Sequence, residues 1–235
     1  MVRDISIAAI PLLLAIILHE VSHGWVANRR GDSTARLSGR LTLNPLAHID
    51  LYGTILMPIL LLALTQGRFV FGYAKPVPVN FMNLRRPKED MILVAGAGPA
   101  TNLALAAVCG ILFRTILILD PDLWRFLAAP PLAASGGAGA MLLLPILLML
   151  VAGVKWNVLL AIFNMIPMPP LDGGRVLVGL LPDRPSAALA SIEPYGFLVV
   201  MALVFLDPLS LMSEVVFPIM RVIGTAIAGI DPFAI

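Results

Sequence analysis

Cysteine is almost missing from this sequence. Among 235 residues only Cys109 is present, so no intrachain disulfide can form and no cysteine-based metal site can be assembled. Charge is scarce too. Asp, Glu, Lys and Arg make up 13% of the chain, against roughly 25% in soluble domains. With 59% apolar residues and a mean hydropathy of +0.95, the composition excludes an ordinary soluble globule and describes a membrane protein. The formal net charge of +2 and the scatter of the basic residues exclude a nucleic-acid partner and leave membrane lipid as the surrounding medium. Neither an internal repeat nor a low-complexity tract is present, so one membrane-embedded domain is expected over 1–235.

The apolar runs predict an all-α polytopic architecture. Residues 5–27 read as a first span; the run lacks a basic leader and a small-residue cleavage site, so it is expected to be a retained helix. Residues 91–119 and 138–166 read as further spans, and 187–206 and 209–230 as two accessory ones, about five in all. Residues 51–65, interrupted by Pro58, are too short for an ordinary crossing and fit a re-entrant or interfacial segment. The stretch FVFGYAKPVPV at 69–79 suggests a short β-hairpin at the membrane surface.

Orientation follows from the basic residues. Nine of the sixteen Lys and Arg lie within 28–90, which puts that side in the cytoplasm. If the C-terminal ends of 5–27 and 138–166 share a side, the number of crossings between them is even, and 51–65 does not cross.

Chemistry concentrates in HEVSH at 19–23. Residues four apart on an α-helix lie about 40° apart on one face, so His19 and His23 can share a metal ion. Glu20 projects near that face, where it can accept a proton from a water activated by zinc. The alternative is a chance match or two satisfied core histidines. Depth argues against it: His19 lies about 20 Å along a layer roughly 30 Å thick, where unpaired polar groups are costly. A catalytic zinc takes three protein ligands and keeps a fourth position for water. Asp172, in PPLDGGR, is the best third ligand; the alternative is an Asp that caps the next helix.

HEVSHG, GPATN at 98–102 and NMIPMPPLDGGR at 164–175 together resemble the site-2 protease family of intramembrane metalloproteases, in the family's order, over a core of about 5–180. The resemblance implies one Zn2+ per chain on His19, His23 and Asp172, with Glu20 as general base and Asn164 near the scissile carbonyl. It implies hydrolysis of peptide bonds in or near transmembrane segments of protein substrates, in a prokaryotic cell membrane, with the active site towards the cytoplasm. No stretch is polar enough for the PDZ or nucleotide-sensing domain of larger members, so a compact form is expected. Two other functions are open: a catalytically silent scaffold that binds client helices, and a membrane metalloprotease that cuts juxtamembrane tails.

Several residues carry two readings. Asn164 either donates its amide to the oxyanion or bonds between helices. Asn102 either meets the substrate backbone or fixes packing. His48 either reaches the metal or oxyanion, or is a surface-loop histidine. Lys155 and Asn157, both intramembrane, receive no catalytic role.

Overall fold

The computed structural model describes residues 2–66, 72–128, 138–207 and 210–234. Three long helices organise it: α1 (Val2–Arg30), α4 (Pro87–Leu119) and α6 (Ala138–Asn164). Between the first two lie α2 (Thr34–Leu37), a 3-10 turn at Pro45–His48, and a π-helical turn at Leu51–Leu56 that runs into α3 (Met57–Leu64). The short α5 (Leu123–Ala128) follows α4. Beyond α6 come α7 (Asp172–Leu180), α8 (Asp183–Ala190), α9 (Gly196–Leu206) and α10 (Phe217–Ala228).

Three helices are long and apolar enough to cross a membrane, over Ile7–Arg30, Pro87–Leu119 and Leu143–Asn164. The shortest of these stretches has 22 residues, about 33 Å at 1.5 Å per residue, which covers a hydrocarbon layer of roughly 30 Å. Pro11, Pro99 and Pro145 lie inside these helices, a position that membrane helices tolerate because neighbours re-satisfy the freed carbonyls. α4 packs against both α1 and α6 and also against α7 and α10. Ala106, Val154, Val158 and Met220 are buried at this junction, while Ile10, Leu13, Leu14 and Ile111 point outward, as a lipid-facing surface requires.

The expectation of about five spans is corrected to three. In the first accessory run, Pro194 lies in a 3-10 turn before α9, which has only 11 residues, about 16 Å. Between the two runs, Asp207 takes a left-handed conformation (φ 38°) and its carboxylate accepts hydrogen bonds from Met212 N and Ser213 N. In the second run, Glu214 and Arg221 place charges within the π-helical turn Met212–Val216 and α10. Residues 51–64 form a shorter apolar helix, in line with the parity argument.

The expected β-hairpin is also corrected. Residues 69–71 lie outside the described residues; 72–80 run without regular structure, and there is no strand among the described residues. Pro76 and Pro78 lack the N–H that a ladder needs. Single hydrogen bonds pin the segment instead, turning it into a strap along α1: Tyr73 N–H donates to Gly53 O (3.1 Å), Lys75 N–H to His48 O (2.9 Å), and Asn80 N–H to the Asp32 carboxylate (2.8 Å). The buried Arg40 side chain donates to Lys75 O (2.8 Å). Asp32, fully buried just past α1, also accepts from Thr34 and Asn83. Burial alone would push its carboxyl up, but these hydrogen bonds outweigh it and hold the group below its ordinary range.

Candidate metal centre

Near the middle of α1, two imidazoles leave the same face. His19 lies 12 residues after Ile7, about 18 Å, and 11 before Arg30, about 16 Å. A third side chain comes from the start of α7, just beyond α6. The chain leaves that helix through a proline-rich turn and re-enters a helix at Asp172. Gly173 and Gly174 make the close approach possible: a Cβ on Gly173 would fall on the Met165 and Ile166 carbonyls, and one on Gly174 on the Met168–Pro169 backbone. With no side chains in the way, the first turn of α7 lies against the turn it came from, and Asp172 faces α1.

The three side chains meet. His19 Nε2 and His23 Nε2 are 3.1 Å apart, and Asp172 Oδ2 is 3.1 Å from the first and 3.3 Å from the second. Ligands placed tetrahedrally at about 2.0–2.1 Å from a zinc ion stand about 3.3 Å from one another. The triangle therefore has the size of one face of such a site. His19, His23 and Asp172 are 6%, 9% and 7% exposed, and they are the group among the described residues whose atoms suit a shared metal ion.

Protons support the same fit. His23 Nδ1 lies 2.7 Å from Val94 O, an acceptor only, so Nδ1 carries the hydrogen and Nε2 presents a lone pair. Asp172 Oδ2 is buried without a hydrogen-bond partner. Lone pairs that converge in a buried site repel unless a cation lies among them. Protonating both imidazoles instead would put two cations in contact. Gly98 on α4 closes the group from another side: a Cβ there would stand 2.5 Å from His19 Cε1 and 2.6 Å from His19 Nε2.

Glu20 turns to the strap, where its Oε2 accepts the Val77 N–H at 2.8 Å. Asn164 donates its Nδ2–H to Leu160 O (2.9 Å), back along its own helix. His48 is buried, 3% exposed, and donates from Nε2 to Thr42 O (2.9 Å); it is not among the three metal-facing groups. The Lys155 ammonium lies 5.9 Å from the centre of the Phe233 ring. Asn102 Oδ1 is 2.5 Å from His19 Nδ1, a partnership that sequence reasoning missed. Its one available signal was the four-residue step from Gly98 to Asn102, which puts both on the α4 face that meets the imidazoles. The contacts of Val94 O and Val77 N–H are made by backbone atoms, and no residue type announces them.

The model of peptidase family M50 matches residues 7–206, a range that holds His19, Glu20, His23, Asn102, Asn164 and Asp172. "Putative zinc metalloprotease YwhC" of Bacillus subtilis (strain 168) is 36% identical over 212 residues, which are 90% of this chain and 84% of YwhC. Proteins with the same description under the name Rip2 are each 31% identical: that of Mycolicibacterium smegmatis (strain ATCC 700084 / mc(2)155) over 84% of this chain and 66% of its own length, and that of Mycobacterium tuberculosis (strain ATCC 25618 / H37Rv) over 83% and 65%. This chain thus spans about two thirds of Rip2. No solved structure matches it.

Proposed function

Because the chain belongs to peptidase family M50, we propose that it is an intramembrane zinc protease that hydrolyses peptide bonds in or beside the membrane-spanning segments of other proteins. The observation that carries this reading is the triangle of two imidazole nitrogens and a carboxylate oxygen near the midpoint of a candidate span. His19, His23 and Asp172 hold the zinc. Bound there, zinc polarises the scissile carbonyl and lowers the pKa of a water towards 7.

The chain's own groups do the rest. Glu20 takes the proton from the attacking water as it adds to the carbonyl carbon, then gives it to the leaving amide nitrogen as the C–N bond breaks. The Val77 N–H fixes the carboxylate that does this. Asn164, turned from Leu160 O, offers its Nδ2–H to the developing oxyanion. The substrate helix unwinds locally, since a helical amide is hidden by its own hydrogen bonds. Arg29, Arg30, Arg36 and Arg40 follow the metal-binding half of α1, which supports a site that opens towards the cytoplasm.

Purified chain and a synthetic transmembrane peptide test the proposal. Glu20→Gln lowers cleavage about 10²- to 10⁴-fold while zinc stays bound. Unchanged cleavage would exclude Glu20 as the base.

A further inference from the structure

Asn102, fully buried on α4, and Asn157, 3% exposed on α6, are two side-chain amides buried beside the metal-facing histidines. Their hydrogen bonds run in one direction. Asn157 Nδ2–H donates to Gly153 O (2.8 Å), which leaves Asn157 Oδ1 facing Asn102. Asn102 Nδ2 donates to that oxygen at 2.7 Å and to Ala15 O at 3.2 Å. Both neighbours can only accept, so the nitrogen end of the Asn102 amide is fixed on that side and its oxygen faces His19 Nδ1. Reversing the amide would set Oδ1 against two other oxygens.

We propose that Asn102 and Asn157 are positioning residues, a relay anchored on two backbone carbonyls that fixes which nitrogen of His19 bears the proton and which is offered to the metal. The inference rests on the zinc-binding reading above. Asn102 Oδ1 can only accept, so His19 Nδ1 carries the hydrogen and Nε2 is bare, turned to Asp172 Oδ2 at 3.1 Å. The second imidazole reaches the same state through Val94 O. Hydrogen bonding at the far nitrogen fixes the tautomer and ring orientation of a metal-binding histidine and raises its basicity. Two asparagines that served only to join helices would not need an acceptor oxygen directed at a ligand.

The test uses the full chain in detergent and reads three quantities: the zinc dissociation constant by chelator competition, the visible absorption of the cobalt(II)-substituted protein, and the thermal unfolding of the metal-free chain. Asn102→Leu weakens zinc binding about 10- to 100-fold and changes the cobalt spectrum. Asn102→Asp, whose protonated acid keeps an O–H donor towards Asn157 Oδ1 and an acceptor oxygen at His19 Nδ1, recovers most of the affinity. Asn157→Leu, which removes only the group orienting the Asn102 amide, weakens binding about threefold or more, and it decides the matter if the position-102 variants do not fold. The relay is overturned if Asn157→Leu and Asn102→Leu bind zinc like the parent, or if affinity falls only in step with metal-free stability and Asn102→Asp does no better than Asn102→Leu. Failure of the underlying reading looks different: the parent chain binds no zinc, or His23→Ala leaves its affinity unchanged.

Discussion

The side of α1 that carries His19 and His23 and the neighbouring side that carries Glu20 are held by different kinds of structure. Both imidazoles are fixed at Nδ1 by groups on a long packed helix, the Asn102 side chain and the Val94 carbonyl. Glu20 is fixed by the Val77 N–H of an irregular strap. That strap is held in turn by backbone hydrogen bonds to the 45–54 turns and by the Arg40 and Asp32 side chains. On the proposed reading, metal binding is thus tied to the packed helices, and proton handling to an irregular segment with no ladder of its own. The two should respond to different mutations.

Breaking the bundle side should have the largest effect. Gly98→Val puts a side chain where the imidazoles stand, so stoichiometric zinc and cleavage are both expected to vanish. Elemental analysis of the purified variant checks this, and a variant that keeps its zinc would show that α4 does not crowd the site. Val77→Pro acts on the other side alone. It removes the N–H that Glu20 accepts, a hydrogen bond to a charged group, so cleavage should fall about tenfold with zinc affinity unchanged. Val77→Ala, which keeps the N–H, controls for lost packing.

The smallest effect is expected at Asp32, remote from the metal. Asp32→Asn should lower stability at neutral pH by about 1–3 kcal/mol through weakened hydrogen bonds to the strap and to Thr34. The sign follows from the depressed carboxyl: the contribution is whole above the unfolded-state value of about 3.9 and is lost as pH falls through the lower folded value. The difference in unfolding free energy between parent and variant should therefore shrink on acidification from neutral pH to about pH 3. A difference that does not change with pH would remove Asp32 from the account.

This division also marks what could be read from residues alone. The HEVSH ligand pair is legible because both histidines lie within about one helical turn, and LDGG because a glycine pair beside an acid predicts a close turn. Long runs without charge identify α1, α4 and α6. The two accessory runs look equally apolar, but hydropathy does not register the break at Pro194 inside the first or the left-handed turn at Asp207 between them. Alternating Val and Pro at 76–79 imitates a strand pattern while removing the donors a strand requires. Asn102 meets His19 across 83 positions of sequence, a pairing set by helix packing and not by local spacing. The hold of Val77 on Glu20 is made by a peptide group, which every residue but proline possesses.

Zinc K-edge X-ray absorption on the purified, zinc-loaded chain tests the central claim most directly. The account predicts one zinc per chain, bound by two imidazole nitrogens and carboxylate oxygen at about 2.0–2.2 Å, with the oxygen contribution reduced in Asp172→Ala. A sulfur ligand at about 2.3 Å, or a spectrum that Asp172→Ala leaves unchanged, would contradict it.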